Sequence, residues 1–314
     1  MRVAMAGLGF FSQFHVDAWR RLAPAHHLVA AADPDQARWL PGVACFQSVE
    51  EMLAKVEPDL LDIVTRPDTH SEIARAAFSR GIAVISQKPL APSLAESAAL
   101  VEAAERAGVR LLVHDNWRFQ PWWQAVDQGL RDGVCGRAFC ANFRIRTGDG
   151  RGDHPFPAQP YFSAMPWFLF YETAIHHIDC ARFLFGEVAE IHAVRSRVRD
   201  DIAGEDLGAA VLEMDSGVVV VIDGNRWTRA PSGNAALGTA VIEGTEAVLT
   251  VAEDGVVRRD GQEWFRPPPD AGYRGDSVFA TITHLTAALA SGEESSLEGR
   301  NYLRTMAAMF ACYR

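Results

Sequence analysis

The chain has 314 residues, 48% hydrophobic and 22% charged, which is the composition of a globular protein with room for two cored domains or one large α/β domain. Its formal net charge of -10, with no basic run, excludes a nucleic-acid phosphate surface, and no apolar stretch approaches the ~18 residues of a membrane span. The five cysteines (Cys45, Cys135, Cys140, Cys180, Cys312) are odd in number and fit no zinc spacing. They read as reduced thiols of a cytoplasmic protein, and the first residues enter a strand with no room for a signal peptide.

In chain order, residues 2–6 form a short apolar strand that runs into Gly7-Leu8-Gly9-Phe10-Phe11-Ser12, a G-x-G-x-x-G fingerprint with serine in the third place. Gly7 permits the tight turn and Gly9 lets the backbone approach a pyrophosphate, with Phe10 and Phe11 in the same loop; plain strand-to-helix turns also use glycines. A second strand over 28–32 ends at Asp33, where a carboxylate meets the adenosine ribose hydroxyls and repels a 2′-phosphate, favouring NAD over NADP. Asp33 also reads as the first residue of an Asp-Pro-Asp turn, and Arg38 is close enough in sequence to keep a 2′-phosphate in play. Ser48-Val49-Glu50-Glu51 and Ser93-Leu94-Ala95-Glu96 are capping boxes that open helices. Strands follow over 60–65, 82–87 and 109–113, with a helix over 71–80 closed by Gly81. Strands alternating with helices of this length predict right-handed βαβ units, and so a doubly wound parallel Rossmann sheet over residues 1–120. Lys88, held extended by Pro89 at the carboxyl end of a buried strand, lies where such sheets bind ligands; a solvated strand-end lysine is the other reading.

Residues 121–314 read as an α+β domain with a predominantly antiparallel open sheet, one face of which is a candidate oligomer surface. Its strands are expected over 138–146, 190–199, 208–214, 218–225, 239–243 and 247–252, and its helices over 124–131, 278–290 and 299–312. Trp117, Phe119, Trp122 and Trp123 suit inter-domain packing or a sugar platform. The glycine-rich segment 147–155 reads as a loop, over an active site or without function. If 170–179 is helical, Glu172, His176 and Asp179 share one face of an otherwise apolar helix. A hydride-transfer site, a satisfied structural network and a metal site each account for them.

In Gly7-x-Gly9, Asp33, Thr65-x-Pro67-x-x-His70, Gln87-Lys88-Pro89, Asn116-x-Arg118-Phe119 and Glu172-x-x-x-His176-x-x-Asp179, over most of its length, the chain resembles the Gfo/Idh/MocA oxidoreductases. The resemblance implies an NAD-dependent dehydrogenase without a metal, a cis bond before Pro89, and a homodimer or homotetramer built through the second sheet. It adds Thr65, Arg66, Pro67, His70, Gln87, Lys88 and Asn116 to the expected cofactor contacts. Three positions depart from the family pattern. Gln87 stands where glutamate is usual, Arg66 where a second proline is common, and Glu172-x-Ala174-x-His176 where Asp-x-Gly-x-His is usual, which moves the carboxylate by about 1.5 Å. Arg66 meets a substrate or cofactor oxygen, or is simply solvated.

The implied chemistry is oxidation of a sugar or polyol hydroxyl. His176 is the base, Glu172 orients it, and Lys88 stabilises the developing oxyanion. Arg118, Tyr161 and Asp179 are candidates for holding other hydroxyls. Gln87-Lys88-Pro89, the run 116–122 and Gln159-Pro160-Tyr161-Phe162 resemble the D-apiose dehydrogenase branch, which oxidises an aldose at C1 to its lactone. An inositol or cyclitol dehydrogenase, an NAD-dependent glycosidase and a non-catalytic sugar and dinucleotide sensor are the alternatives; Lys88 and His176 argue against the sensor.

Overall fold

Runs of small and branched apolar residues build the first sheet of the computed structural model, which describes residues 1–229, 237–269 and 276–314. Its strands are β1 (Arg2–Ala6), β2 (His27–Ala32), β3 (Ala44–Phe46), β4 (Leu60–Ile63), β5 (Ala83–Gln87) and β6 (Leu111–His114). They pair in parallel in the order β3-β2-β1-β4-β5-β6, with the topological switch between β1 and β4. Val3 to Ala6, Leu60, Leu61, Ile63, Val84 and Ile85 have no exposed surface, as strands covered on both faces require. Each of the larger ones contributes about 1.5–3 kcal/mol by leaving water.

The crossovers are α1 (Ser12–Leu22), α2 (Val49–Lys55), α3 (Pro67–Phe78) and α4 (Leu94–Ala107). Ser48 and Ser93 cap α2 and α4 as expected, each accepting from the amide three residues on at 3.1 Å. Helix α3 starts earlier than the expected 71, because Pro67 is preset for a first helical position.

The described chain divides into two units, Met1–Asn116 with Arg274–Met306 and Trp117–Tyr273 with Ala307–Arg314. The expected single boundary at 120 therefore needs correction. Helix α7 (Asp276–Ser291) packs on α1, where Arg21 pairs with Asp276 at 2.9 Å and lies over the Phe279 ring. Before α8 (Gly299–Ala311), Leu297 pairs with the outer edge of β6, its carbonyl accepting from Val113 at 2.8 Å. Arg110 holds this return in place through the Ala288 and Glu293 carbonyls and the Glu298 carboxylate. The covered edge of β6 is thus unavailable to stray strands.

The second unit contains α5 (Pro121–Arg131), β7 (Ala138–Arg146), α6 (Ile175–Phe185), β8 (Val188–Ser196), β9 (Leu207–Met214), β10 (Val219–Asn225), β11 (Gly238–Gly244) and β12 (Val248–Val251). Two short strands that the sequence reading missed, β13 (Val257–Arg259) and β14 (Gln262–Phe265), extend the sheet. The order is β14-β13-β12-β11-β7-β10-β9-β8, antiparallel throughout except between β7 and β10. Alternation sets the faces: Val220 and Ile222 are buried, whereas Val219 and Asp223 face the other way. On the buried face Phe143 meets the Trp123 ring at 5.0 Å and the His177 ring at 6.3 Å. The opposite face exposes Val194, Val211 and Val219.

Candidate active-site residues

In the first unit the turn after β1 is built for close backbone approach. Gly7 has φ 91°, and a Cβ there would lie 2.7 Å from Thr65 Cγ2 and the Val64 carbonyl oxygen, so no other residue fits. A Cβ on Gly9 would meet nothing within 4 Å, so the space above the second glycine is open. Unlike α2 and α4, α1 has no side-chain cap and no acidic residue in its first turn. Its N-terminal amides therefore keep their partial positive charge for an anion. These features fit a dinucleotide pyrophosphate.

Phe10 is exposed at the rim of this loop, while Phe11 turns inward to Phe14 at 5.3 Å and packs with Met5, Leu8 and Val64. Asp33 is buried and accepts from the Leu8 amide at 2.7 Å and the Asp35 amide at 2.9 Å. These two amides use two of roughly four acceptor positions on the carboxylate, which leaves room for ribose hydroxyls. Arg38 Nη1 lies 3.9 Å from Asp33, while its Nε is nearer Asp35 at 3.2 Å. Gly9, Phe10, Ser12, Gln13, Arg38 and Leu40 line a cavity of about 330 Å³ beside the loop.

Several residues expected at the cofactor make internal bonds. His70 has no exposed surface; its Nε2 lies 3.2 Å from the Thr65 carbonyl and its Nδ1 3.3 Å from that of Leu90. Burial holds this imidazole below its ordinary range, and its task is to join the turn after β4 to the turn after Lys88. Thr65 Oγ1 is 2.7 Å from the Thr69 hydroxyl, and Pro67 opens α3. Asn116 is buried and donates to Ser277 Oγ at 2.8 Å, and the Gln87 amide is enclosed between His15 and His114. Arg66 extends outward, 62% exposed and 3.8 Å from Asp68. Lys88 is half-buried at the carboxyl edge of the sheet, and its bond to Pro89 is cis, as the resemblance implied.

In the second unit Arg118 and Asp179 form a bidentate pair, Nε to Oδ2 at 2.7 Å and Nη2 to Oδ1 at 2.5 Å, with both side chains buried. Two residues expected to meet the substrate are thus paired with each other, and the pair ties the turn over Trp117–Phe119 to α6. Trp117, Trp122 and Trp123 are buried, with the Trp117 ring 5.8 Å from that of His176, so they pack rather than form an exposed platform. Tyr161 is 37% exposed, its hydroxyl accepting from Gln159 at 2.8 Å.

The segment expected as one α-helix is two elements, a π-helical turn over Leu169–Ala174 followed by α6. The wider winding over Leu169–Ala174 departs from the α-helical period on which the shared face of Glu172, His176 and Asp179 was expected. His176 is buried to 6% exposure, while Glu172 is half-buried.

Distant residues hold this turn. The Glu205 carboxylate accepts from the Phe168 and Phe170 amides at 3.3 and 3.1 Å, and its carbonyl accepts from Leu169 at 3.0 Å. Tyr313 donates its hydroxyl proton to Glu205 at 2.5 Å and accepts from the Tyr171 amide at 3.1 Å. Burial, then the Glu205 carboxylate, push the Tyr313 phenol far above its ordinary range. Arg226 donates to Thr173 Oγ1 at 2.5 Å, pairs with Asp149, and lies 4.6 Å over the Phe168 ring. The glycine-rich loop is thereby anchored through Asp149. Sequence reading missed Glu205, Arg226 and Tyr313, which no spacing connects to 169–174.

The three metal-capable side chains that the described residues bring within 4.8 Å are Glu190, His192 and Glu213, all exposed.

Residues 1–115 match the family described as an oxidoreductase family with an NAD-binding Rossmann fold, and residues 123–250 match the GFO/IDH/MocA C-terminal domain. The chain is 35% identical to a D-apiose dehydrogenase from Paraburkholderia graminis, over 99% of this chain and 86% of that protein. A D-apiose dehydrogenase from Rhizobium rhizogenes is 29% identical over 100% and 94%. An inositol 2-dehydrogenase from Saccharopolyspora erythraea is 30% identical over 71% and 66%. Among solved structures, an oxidoreductase from Agrobacterium radiobacter in complex with NAD+, L-tartaric acid and magnesium superposes with a TM-score of 0.89 at 28% identity, covering 100% of this chain and 95% of the other.

Proposed function

Because this chain belongs to the Gfo/Idh/MocA family of NAD-binding oxidoreductases, we propose that it oxidises an aldose at C1 to the lactone, with D-apiose or a close relative as substrate. The observation that carries the reading is the full-length likeness to the D-apiose dehydrogenases, with Lys88 and His176 both in place.

The turn at Gly7–Ser12 and the Asp33 carboxylate hold the dinucleotide. When bound, its nicotinamide supplies the acceptor for the hydride. The remaining work belongs to side chains of this protein. His176 takes the C1 hydroxyl proton as the carbonyl forms, so no alkoxide has to accumulate. Lys88 donates to that oxygen as negative charge develops on it. Glu172 orients the imidazole, and Tyr161 contacts a further hydroxyl of the sugar. Arg118 and Asp179 act through position, keeping α6 and the His176 backbone in place.

The first unit is the cofactor-binding part and the second the substrate-binding and oligomerisation part. The exposed valines of β8, β9 and β10 support a homodimer or homotetramer built through that sheet. The enzyme works in the cytoplasm, in keeping with its five free cysteines. A cyclitol is the second substrate reading, favoured by the inositol dehydrogenase relative.

The test is NADH formation with NAD and with NADP against a panel of aldoses and cyclitols that includes D-apiose. Turnover of an aldose with NAD is expected. Turnover of cyclitols alone would replace the substrate reading, and release of free sugar from a glycoside without net NADH would replace the dehydrogenase with a glycosidase.

A further inference from the structure

Behind β5, the strand that leads to Lys88, the first unit buries a continuous row of polar side chains from four elements. Asp62 of β4 accepts on Oδ2 from Trp19 Nε1 at 2.7 Å and meets His15 Nδ1 at 2.8 Å, both from α1. The other nitrogen of His15, Nε2, lies 2.8 Å from Gln87 Nε2 at the end of β5. The same amide nitrogen lies 2.8 Å from His114 Nδ1 on β6, and the two imidazole rings are 4.4 Å apart. His15, Asp62 and His114 have no exposed surface, and Gln87 has 7%. Such a row costs stability wherever a donor or acceptor is unmatched, so its proton arrangement is tightly constrained.

The chemistry of the groups gives that arrangement. An amide nitrogen carries two N–H donors and no acceptor, so both imidazole nitrogens facing Gln87 present lone pairs. His15 then keeps its one proton on Nδ1, where it donates to Asp62, and His114 keeps its proton on Nε2. Turning the amide over would instead set Oε1 between the rings and require protons on His15 Nε2 and His114 Nδ1. His15, already donating to Asp62, would then be an imidazolium. Two arrangements match the Gln87 amide to both rings, differing by one proton and half a turn of that amide, and in each His114 Nε2 and Asp62 Oδ1 stay buried without a hydrogen-bond partner.

We propose that Gln87 is a positioning residue for Lys88: by donating to His15 and His114 at once, its amide pins the last residue of β5 and so fixes where the lysine leaves the sheet. The groups that face the row are Asp62 from β4, His15 and Trp19 from α1, and His114 with its neighbour Asp115 from β6; Asp115 itself accepts from Tyr302 at 2.8 Å. Burial first, and then the neighbouring His15, keep the His114 imidazole well below its ordinary range, against weaker opposition from Asp115 and from the His114 and Val278 backbone. The inference relies on the catalytic reading of Lys88 only for its effect on rate.

The test joins a spectroscopic readout to kinetics. In protein labelled with ¹⁵N-histidine and assigned with His15→Asn and His114→Asn variants, His15 Nε2 and His114 Nδ1 are expected at the shifts of unprotonated nitrogens near neutral pH. Gln87→Glu offers acceptors only, so both nitrogens are expected to become protonated. Its kcat is expected to fall about 10- to 100-fold with NAD affinity retained, and its pH–kcat profile to gain an ionisation absent from the parent. Gln87→Met, which folds without a buried carboxylate, is expected to lose rate similarly without the new ionisation. Protonated shifts at either nitrogen in the parent would overturn the proposal, as would parental kcat and pH profile in both variants. If Lys88→Met left turnover intact, the catalytic reading would fail separately, and the shifts would still decide the orientation of the amide.

Discussion

The two units place their candidate site residues in different ways. In the first, the dinucleotide turn, Asp33 and Lys88 all lie at strand ends of one parallel sheet, a place the sequence pattern itself marks. In the second, the helix that carries His176 begins with a π-helical turn, held by Glu205, Arg226 and Tyr313 from elsewhere in that unit. The parallel sheet imposes a site wherever its strands end. The antiparallel sheet imposes none, so tertiary contacts must create one. Perturbing the first set should therefore act on chemistry with little loss of stability, and perturbing the supports of the second should cost both.

The largest effect is expected from Lys88→Met, which removes the donor to the developing oxyanion. Turnover should fall at least about 10²- to 10³-fold while NAD still binds, as measured by kcat beside cofactor titration. Arg118→Leu attacks the second unit through its support. It leaves Asp179 buried without its guanidinium, and the urea midpoint should shift by the equivalent of about 3–5 kcal/mol. A smaller loss, about 1–3 kcal/mol, is expected for Tyr313→Phe, which takes a donor from Glu205. If the π-helical turn positions His176, that variant should also lower kcat more than it changes KM for NAD. Equal kcat in parent and variant would mean that the Tyr313 contact serves folding alone.

The comparison also explains what could be read from the sequence. The βαβ alternation, the Gly7–Gly9 turn, both serine caps and the strand-end lysine are local patterns, fixed by the period of the chain and by the few residues that suit each turn. The return of α7 to the first unit was not legible, because an apolar helix face does not name the surface that it will cover. The stripe of Glu172, His176 and Asp179 was read with an α-helical period, and the π-helical turn breaks that period before Ile175. Glu205 and Tyr313 are separated by 108 residues, and their meeting is set by the fold alone. His70, Gln87 and Asn116 are expected at the cofactor from their places in motifs, whereas their burial and internal bonds are set by the fold.

The smallest predicted effect concerns acid stability, and it belongs to the first unit. His70 and His114 are both held below the ordinary value of 6.5, with burial the leading cause. The unfolded chain therefore binds more protons than the folded one as pH falls through that value. Their contribution is complete above it and declines below it, by about 1.4 kcal/mol per pH unit for each proton taken up. Urea denaturation across the neutral to mildly acidic range should show this slope, and a His70→Gln variant should lose about one proton's share of it.

The central claim is that a hydride leaves C1 of an aldose for NAD. The most direct measurement uses D-apiose deuterated at C1, with the position of the label followed by mass spectrometry. The account predicts one deuteron on the reduced nicotinamide per turnover, an unlabelled lactone, and loss of the transfer in Lys88→Met. Reduced cofactor without deuterium, formed beside a product that keeps its label, would place the oxidation at another carbon and contradict the account.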